Sequence, residues 1–416
     1  KPLYALLMDA PGGKTLKDNL DHFVKGGTVS GVCESCSATA LFTLQTNAPS
    51  GGVGHRVGLR GGGPLTTLLV PEAADSTLWQ KLWLNVLTQE EFTGTVNGAD
   101  ASVFPWMSNT RVSDKKGVQT LPVDVNPLQM YWGMPRRIRI DTQTEPGDCT
   151  LCGEFTETLH NHFRTKNYGV NYDGPWLHPL TPYRFDPKKK NPPLSIKGQQ
   201  GGLGYRHWLG LMWRDDNGNN AAQVAKYFID ELADLIEDEG VSSLMRLWCF
   251  GYDMDNMKAR CWYEHQLPVV AVVENYRGLF LKFISDLVNA AQDVVKVLNT
   301  QVKAAWFKRP KDVKGDTSMV SQSFWQATEL LFYQQLQLLA ALPSDTRHMP
   351  VDVAGAWVKG LRHTAYEVFD HWVLEGNAED LNMKRITGAR RELGKKLKNT
   401  KALKNFDQMA TSQEVA

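Results

Sequence analysis

The sequence lacks an excess of charge of either sign, and it lacks any long apolar run. Its 416 residues carry 46 lysines and arginines against 45 aspartates and glutamates, a formal net charge of +1. Because so small a charge creates little overall field, any surface for nucleic acid must be local. No apolar run reaches the roughly 18 residues that a transmembrane helix needs. We therefore expect a soluble, cytoplasmic protein without a membrane partner, long enough for two or three domains.

Cysteine is scarce as well, with six in the chain. Four of them form two C-x-x-C pairs far apart in sequence, Cys33 with Cys36 and Cys149 with Cys152. Two such pairs can present four thiolates tetrahedrally, which is the closed geometry of a structural zinc site. The sequence therefore predicts one structural zinc that holds two distant segments together. The alternative is a set of buried or free cysteines without metal.

The other two cysteines, Cys249 and Cys261, have no such spacing and are expected to behave as small hydrophobic residues. Disulfides are disfavoured because they do not persist in the reducing cytoplasm that we expect for this chain.

The letters HNH follow the second cysteine pair, at His160, Asn161 and His162. HNH nucleases spread these three residues over a compact ββα-metal unit, because the hydrolytic ion needs ligands from separate elements. Here the three are adjacent, so their side chains point in different directions and cannot converge on one ion. The sequence therefore does not predict a nuclease centre at this position.

The chain changes character near residue 265. The first part alternates loops with strand-like pieces at 64–70 and 136–141, and it contains one amphipathic helix at 221–239. Segments 143–148 and 186–202 read as surface loops, because both are rich in turn-forming residues.

Helical periodicity dominates the remainder of the chain. Four stretches, bounded by proline and glycine, span roughly 269–307, 321–342, 350–374 and 378–405. The sequence thus predicts an α+β protein: an irregular mixed α/β domain with a zinc site at 1–265, then a four-helix bundle at 266–416.

The last predicted helix is strongly basic. Nine cations face a single carboxylate between residues 384 and 404, over about 30 Å of helix, which is comparable to a run of phosphates. Arg390, Arg391, Lys395 and Lys396 are therefore candidates for contact with a DNA backbone. The alternative is an ordinary solvated helix face.

A glycine-rich segment at 47–67 is the third local signal. Seven glycines surround His55, Arg56 and Arg60. Glycine lets a backbone come within hydrogen-bond distance of a ligand. The segment does not match G-x-x-x-x-G-K-[ST], and no strand–turn–helix unit for a dinucleotide surrounds it, so a nucleotide pocket is disfavoured. A backbone that approaches a nucleic-acid groove fits better, and a flexible surface loop remains the alternative.

Several motifs occur in series along the chain: C-x-x-C at 33–36, ALF, APSGG, GLRGGGPLTT, the second C-x-x-C-G, WLHP and GYDMDNMKARCW. In this order they resemble the CasA family, the large subunit of Cascade, the type I-E CRISPR surveillance complex. The resemblance covers essentially the whole chain and implies that family members carry a further segment before the position of Lys1. It also implies partners: the other Cascade subunits, crRNA, double-stranded target DNA and the CRISPR helicase-nuclease.

The resemblance further implies that the chain is not an enzyme. It would read the protospacer-adjacent motif (PAM) on duplex DNA, help to open the duplex for the guide RNA, and support recruitment of the helicase-nuclease. In RNA-guided recognition the protein reads a short duplex motif and base pairing reads the remainder.

Site residues follow from the same resemblance. The glycine loop that enters the PAM minor groove corresponds to Ser50, Gly51, Gly52, Val53 and Gly54. The lysine of the neighbouring hairpin corresponds to Lys166, with Asn167 and Arg164 beside it. The wedge that parts the strands corresponds to Asp255 and Asn256, where the carboxylate is a departure that puts the PAM preference in doubt. A loop near the crRNA 5′ handle corresponds to Phe23, Val24 and Lys25.

A stand-alone zinc-containing nuclease or nucleic-acid-processing enzyme is the alternative hypothesis. It requires a converging cluster of carboxylates or histidines. The densest carboxylate groups in the sequence are 237–239 and 253–255. The first closes a helix and is expected to be solvated, and the second has no histidine nearby and is expected to cap a turn. Metal-dependent cleavage of nucleic acid by the isolated chain would favour this alternative.

Overall fold

The computed structural model describes most of the chain and has a mixed α/β part followed by a helical C-terminal region. The described residues are 1–21, 25–92, 101–115, 118–141, 144–239, 245–255, 258–312, 316–375 and 381–411.

Within these residues the strands form four small antiparallel sheets, in the orders β1-β9-β10, β2-β5, β3-β4 and β7-β6-β8. The bounds are β1 Thr66–Pro71, β2 Arg137–Ile140, β3 Thr144–Asp148, β4 Phe155–His160, β5 Phe163–Lys166, β6 Tyr183–Arg184, β7 Leu194–Ser195, β8 Asn219–Asn220, β9 Met245–Asp255 and β10 Lys258–Pro268.

Short α-helices punctuate the mixed part, and long ones make up the C-terminal region. The bounds are α1 Gly13–Lys17, α2 Glu34–Asn47, α3 Leu78–Trp83, α4 Trp208–Met212, α5 Gln223–Glu239, α6 Glu274–Trp306, α7 Ser318–Ala340, α8 Val351–Leu374, α9 Met383–Asn399 and α10 Lys401–Thr411. None of the helices within the described residues is both long and apolar enough to cross a membrane.

The C-terminal region follows the predicted helical stretches with one change. The fourth stretch is two helices, because the backbone of Thr400 is extended (φ −63°, ψ 122°) and separates α9 from α10. The 33-residue α6 contacts each of α7, α8, α9 and α10. At the centre, Trp357 is fully buried and its Nε1 donates to the Leu287 carbonyl at 3.1 Å.

One hydrophobic core connects the mixed part to the helical region. It extends from Leu65, beside β1, to Phe406 in α10. The Tyr205 ring stacks on Phe332 of α7, with ring centroids 4.4 Å apart, and Trp208 Nε1 donates to the Pro268 carbonyl at 2.9 Å. The two parts therefore bury apolar surface against each other, while the division at 265/266 stays a prediction.

The segment predicted as a loop at 143–148 contains a strand instead. Residues 144–148 form β3, which pairs with β4, and the pairing register shifts between Glu145 and Gly147. A bulge of this kind accommodates Pro146, which has no N–H to donate to a ladder. The prediction was wrong because proline and glycine were taken as turn signals alone.

Candidate metal centre and nucleic-acid interface

The two cysteine pairs meet in space. The sulfur atoms of Cys33, Cys36, Cys149 and Cys152 all lie within 4.8 Å of one another, and Cys33 Sγ is 3.9 Å from Cys152 Sγ. Four thiolates about 2.3 Å from a central tetrahedral zinc would stand about 3.8 Å apart, so the donor set fits that ion. Disulfides do not account for the 3.9 Å pair, because a disulfide needs about 2.05 Å.

Local structure positions each pair. Cys33 caps the N-terminus of α2 and accepts from the Cys36 amide at 3.4 Å, while the other pair occupies the turn between β3 and β4. Backbone bonds join the two segments: Val32 and His160 exchange N–H···O bonds of 2.9 Å, and the Thr150 amide donates to the Gly31 carbonyl at 3.0 Å.

The thiols of this cluster differ in acidity. Burial opposes ionisation of Cys149, but the backbone amides of Cys33, Cys152 and Leu151 lower its pKa to about 6. The hydrogen bond with Cys33 raises the pKa of Cys36 to about 12. Without an ion the Cys36 thiol keeps its proton at neutral pH beside the ionised Cys149, so a divalent cation that replaces that proton would stabilise the cluster.

The HNH letters do not form a site. His160 lies in β4 with its ring Nδ1 3.1 Å from the Asp141 carbonyl, and His162 is exposed. Across the described residues, the four cysteines are the one group of three or more metal-ligating side chains. The Asp253 carboxylate of the 253–255 group is bound by both Arg260 Nε (3.0 Å) and Nη2 (2.9 Å).

The predicted glycine loop contacts the predicted lysine segment. The Tyr168 amide donates to the Gly54 carbonyl at 2.8 Å. Gly54 has φ +71°, and a Cβ there would stand 2.8 Å from Asn167 Cβ, so only glycine fits. Ser50 and Gly52 are exposed, Gly51 is half-buried, and Val53 is 72% exposed at the tip. The structure thus brings Gly54 against Asn167 and Tyr168, the two residues that follow Lys166.

Strands β2 and β5 present a cationic face beside this loop. Arg137 is directly opposite Lys166, and Arg139 is directly opposite Arg164. Because side chains alternate along strands and opposite residues share a face, all four cations lie on one side. The other side carries Ile138, Ile140 and Phe163, which pack in a core with Leu3 and Leu6.

Few carboxylates neutralise the cationic face. Arg164 Nε lies 3.1 Å from Asp141 Oδ1, whereas Arg139 and Lys166 have no ion-pair partner among the described residues. Like charges directly opposite each other destabilise a strand pair. A sheet that retains them is suited to an anionic ligand.

Asp255 of the predicted wedge lies at the end of β9. It is exposed, with Arg260 Nη1 3.6 Å from its Oδ2, while Asn256 lies outside the described residues. A Cβ at Gly63 (φ +61°) would clash with Met254 and with the Tyr252 carbonyl. The glycine-rich segment therefore contacts the Lys166 segment at one end and the hairpin at the other.

The loop predicted near the crRNA handle is described only in part. Phe23 and Val24 lie outside the described residues. Lys25 is exposed, with its Nζ 3.8 Å from Asp21 Oδ2.

The basic helix α9 buries Ile386, Ala389, Leu393 and Leu397 and exposes its cations except Arg385, which is half-buried and donates to the Ala305 and Trp306 carbonyls. Arg390 makes a bidentate pair with Asp370, 2.8 Å for each bond, and lies over the Tyr366 ring. Lys395 Nζ is 3.0 Å from Glu392 Oε1. Arg391 and Lys396 are exposed and make no ion pair with any residue that the structure describes. Of the four predicted cations, Arg390 and Lys395 are therefore held in ion pairs, whereas Arg391 and Lys396 are not.

Sequence reasoning missed several residues of this region. Arg137 and Arg139 were not predicted as site residues, because their place beside Lys166 and Arg164 depends on the pairing of β2 with β5. The alternation in RRIRID was the available signal, since it places both arginines on one face of a strand. Tyr168 follows the lysine strand with φ +66°, and its ring lies 5.9 Å from the Arg56 guanidinium carbon. No motif distinguished these residues.

Comparison with known proteins places this geometry in a family. A family model described as CRISPR-associated protein Cse1 (CRISPR_cse1) matches residues 4–368. The structure of Thermus thermophilus CasA (Cse1) is 17% identical with a TM-score of 0.64, covering 96% of this chain and 75% of that chain. Thermobifida fusca Cse1 is 16% identical with a TM-score of 0.58, covering 99% and 76%.

A chain of a structure described as "CRISPR RNA-guided surveillance complex" is 15% identical with a TM-score of 0.56, covering 88% of this chain and 68% of that chain. At these identities the similarity shows a shared fold, while the family model spans nearly the whole sequence. The resemblance to CasA drawn from the sequence motifs is thus confirmed, and the chain belongs to the CRISPR-associated protein Cse1 family.

Proposed function

We propose that this chain is the non-catalytic large subunit of a type I-E CRISPR Cascade complex and that it reads the PAM in double-stranded DNA. Membership of the Cse1 family supports the assignment, as does the shared fold with a chain of an RNA-guided surveillance complex. The partners would be the other Cascade subunits, crRNA, target DNA and the helicase-nuclease.

The observation that carries the proposal is the cationic face of β2 and β5 beside the glycine loop. Each like-charge pair costs the free protein about 0.2–1 kcal/mol, and phosphates would offset that cost. The minor groove offers a degenerate code, which one lysine and an exposed backbone can read loosely. Lys166 is the residue we assign to the groove, with Arg164 and Asn167 beside it and residues 50–54 as the backbone contact.

The β9–β10 hairpin would then act as the wedge. Separating the first base pairs costs about 1–2 kcal/mol per step in lost stacking, so a polar tip inserted next to the PAM would assist the guide RNA. Arg260 supports this role by fixing Asp253 and reaching Asp255, which stiffens the base of the tip.

The zinc site, the helical bundle and the predicted crRNA loop would have supporting roles. Zinc at the four cysteines would be structural, since all four positions are protein thiolates and none is open. Helices α6–α9 would form the family's four-helix bundle, with α10 extending its last helix. Arg391 and Lys396 would face DNA phosphates, and the same region would support recruitment of the helicase-nuclease. Phe23, Val24 and Lys25 would contact the crRNA handle.

The test compares Lys166→Ala and Asn256→Ala in the assembled complex with Lys359→Ala, an exposed lysine on α8. We expect the first two to weaken binding of PAM duplex much more than assembly with crRNA, and Lys359→Ala to do neither. Lys166→Ala should also lower the preference for PAM over motif-free duplex. Equal loss on both duplexes would make Lys166 an ordinary phosphate contact.

A further inference from the structure

A cavity lined by aromatic side chains lies next to the hairpin. Its volume is about 340 Å³, within the usual range of about 300–1,000 Å³ for small-ligand pockets. Two aromatic pairs from separate parts of the chain line it: Phe42 with Trp132, and Phe250 with Trp262, at centroid distances of 5.9 and 5.5 Å. Phe42 and Trp262 are 48% and 41% exposed, so this lining is accessible from solvent.

The lining of this aromatic cavity includes a cation, Arg60. The Arg60 guanidinium donates through Nη1 to the hydroxyls of Thr66 (3.1 Å) and Thr181 (2.8 Å). It has no carboxylate partner among the described residues, and burial lowers its pKa to about 10, so it stays charged at neutral pH. Buried His178 lines the same cavity, and its Nδ1 accepts from the Leu180 amide at 3.1 Å. Such a cation attracts a ligand that carries hydrogen-bond acceptors.

We propose that this cavity binds a nucleobase from a strand separated at the tip of the hairpin. The inference rests on the proposed function. Aromatic walls stack on the face of any base, and an arginine pairs with acceptor atoms on a base edge, guanine O6 and N7 above all. An apolar peptide side chain would use the walls but would offer the Arg60 charge no acceptor beyond the hydroxyls of Thr66 and Thr181.

The position of the cavity supports this occupant. Phe250 precedes Asp255 by five residues on β9, and Trp262 follows Lys258 by four on β10. At about 3.3 Å per residue, Phe250 and Trp262 lie about 13–17 Å along the backbone from the Asp255 end of β9 and the Lys258 end of β10. The first few nucleotides of a parted strand can cover that distance. A captured base would keep the strand from re-annealing while the guide RNA pairs.

The test couples a protein change to a change in the nucleic acid. The complex is assembled with wild type, Trp262→Leu or Trp262→Phe. As the control we choose Trp83→Leu, because Trp83 is 62% exposed on α3 and does not line the cavity. Each complex binds PAM duplexes that carry a single abasic site at one of the first positions next to the PAM, on either strand. A parallel set places the abasic site in the guide RNA.

For wild type we expect one abasic position to weaken binding about 5- to 150-fold, the usual strength of base–aromatic stacking. Trp262→Leu should lose a similar factor on intact DNA and nothing more at that position, while Trp262→Phe and Trp83→Leu behave like wild type. The strand on which the coupled position lies identifies the source of the base.

Independent losses at every position, with no coupling to Trp262, would overturn the inference. Failure of the proposed function gives a different result. If the chain does not read the PAM, the wild-type complex binds intact duplexes with and without the PAM equally. Thermal unfolding of Trp262→Leu distinguishes a lost contact from a misfolded chain.

Discussion

At the scale of single residues, we expect the like-charge pairs on β2 and β5 to lower the stability of the free chain and to strengthen its binding to DNA. Arg139 is exposed and directly opposite Arg164. We expect Arg139→Thr to raise the stability of the free chain by up to about 1 kcal/mol, because it removes a repulsive cross-strand pair. The same change should weaken DNA binding and reduce the log–log salt slope by about 0.9, one phosphate contact. Thermal unfolding and salt titrations measure the two effects.

Lys359→Ala is the matched control, since it removes an exposed cation far from these strands in sequence and should leave the salt slope unchanged. A destabilised Arg139→Thr chain with an unaltered salt slope would contradict the assignment of this face to an anion.

Buried His178 and half-buried His207 predict acid sensitivity. Burial, followed by the nearby Arg60 charge, lowers the pKa of His178 well below 6.5, and burial lowers that of His207 to about 3. Below pH 6.5 the unfolded chain binds protons that the folded chain does not. Stability is therefore complete above that pH and falls below it, by up to about 1.4 kcal/mol per pH unit for each histidine.

His178→Asn keeps an acceptor for the Leu180 amide but does not titrate. We expect it to flatten the fall in unfolding free energy between pH 6.5 and 5, relative to wild type, whatever its stability at neutral pH. Parallel curves for the two proteins would show that His178 titrates normally in the fold.

At the scale of elements, the four cysteines hold the N-terminus of α2 against the β3–β4 turn. We expect one zinc per chain in reducing buffer. Cys149→Ser should lose the metal and unfold at a clearly lower temperature, because structural zinc contributes about 10–16 kcal/mol in small domains. Cys261→Ser, an exposed cysteine outside the cluster, should change neither zinc content nor stability. If elemental analysis finds no zinc and Cys149→Ser unfolds at the wild-type temperature, the assignment of a structural zinc is wrong.

Helix α9 gives an element-scale test of the basic surface. Reversing Arg391 and Lys396 to Glu should flatten the salt slope of DNA binding by about 1.4–1.8 units, at 0.7–0.9 per phosphate. PAM preference should survive, because phosphate contacts position the protein without specifying sequence. Arg390 is a poorer probe, since its reversal also breaks the pair with Asp370. Measured without the helicase-nuclease, an unchanged slope would make α9 an ordinary solvated face.

The sequence predicted elements better where one physical signal dominated. Amphipathic periodicity indicated 221–239, and the helix spans Gln223–Glu239. The C-x-x-C spacing predicted the approach of Cys33 and Cys149, because thiols at that spacing have few other uses. Pairing was not predictable: β3 contains Pro146, and the opposition of Arg137 to Lys166 depends on strands separated by 22 residues of intervening chain. The break at Thr400 carries no glycine or proline to mark it.

At the scale of the whole molecule, the shared hydrophobic core links the elements that we assign to DNA contact to the helical region. His265 of β10 lies 2.8 Å from Glu329 of α7, and Tyr333 also donates to that carboxylate at 2.9 Å. The hairpin that would part the strands is thus anchored on the helices by polar bonds as well as by packing. The glycine-rich segment connects the same hairpin to the Lys166 strand, so three distant stretches of sequence form one surface.

The central claim is that this surface supplies the reading of the PAM, and one measurement tests it directly. Complexes assembled with and without this chain are titrated with two duplexes that share the guide-matched sequence and differ only in the PAM. The account predicts that the complete complex prefers the PAM duplex and that the preference vanishes without this chain, while guide RNA stays bound. An undiminished preference in its absence would contradict the account.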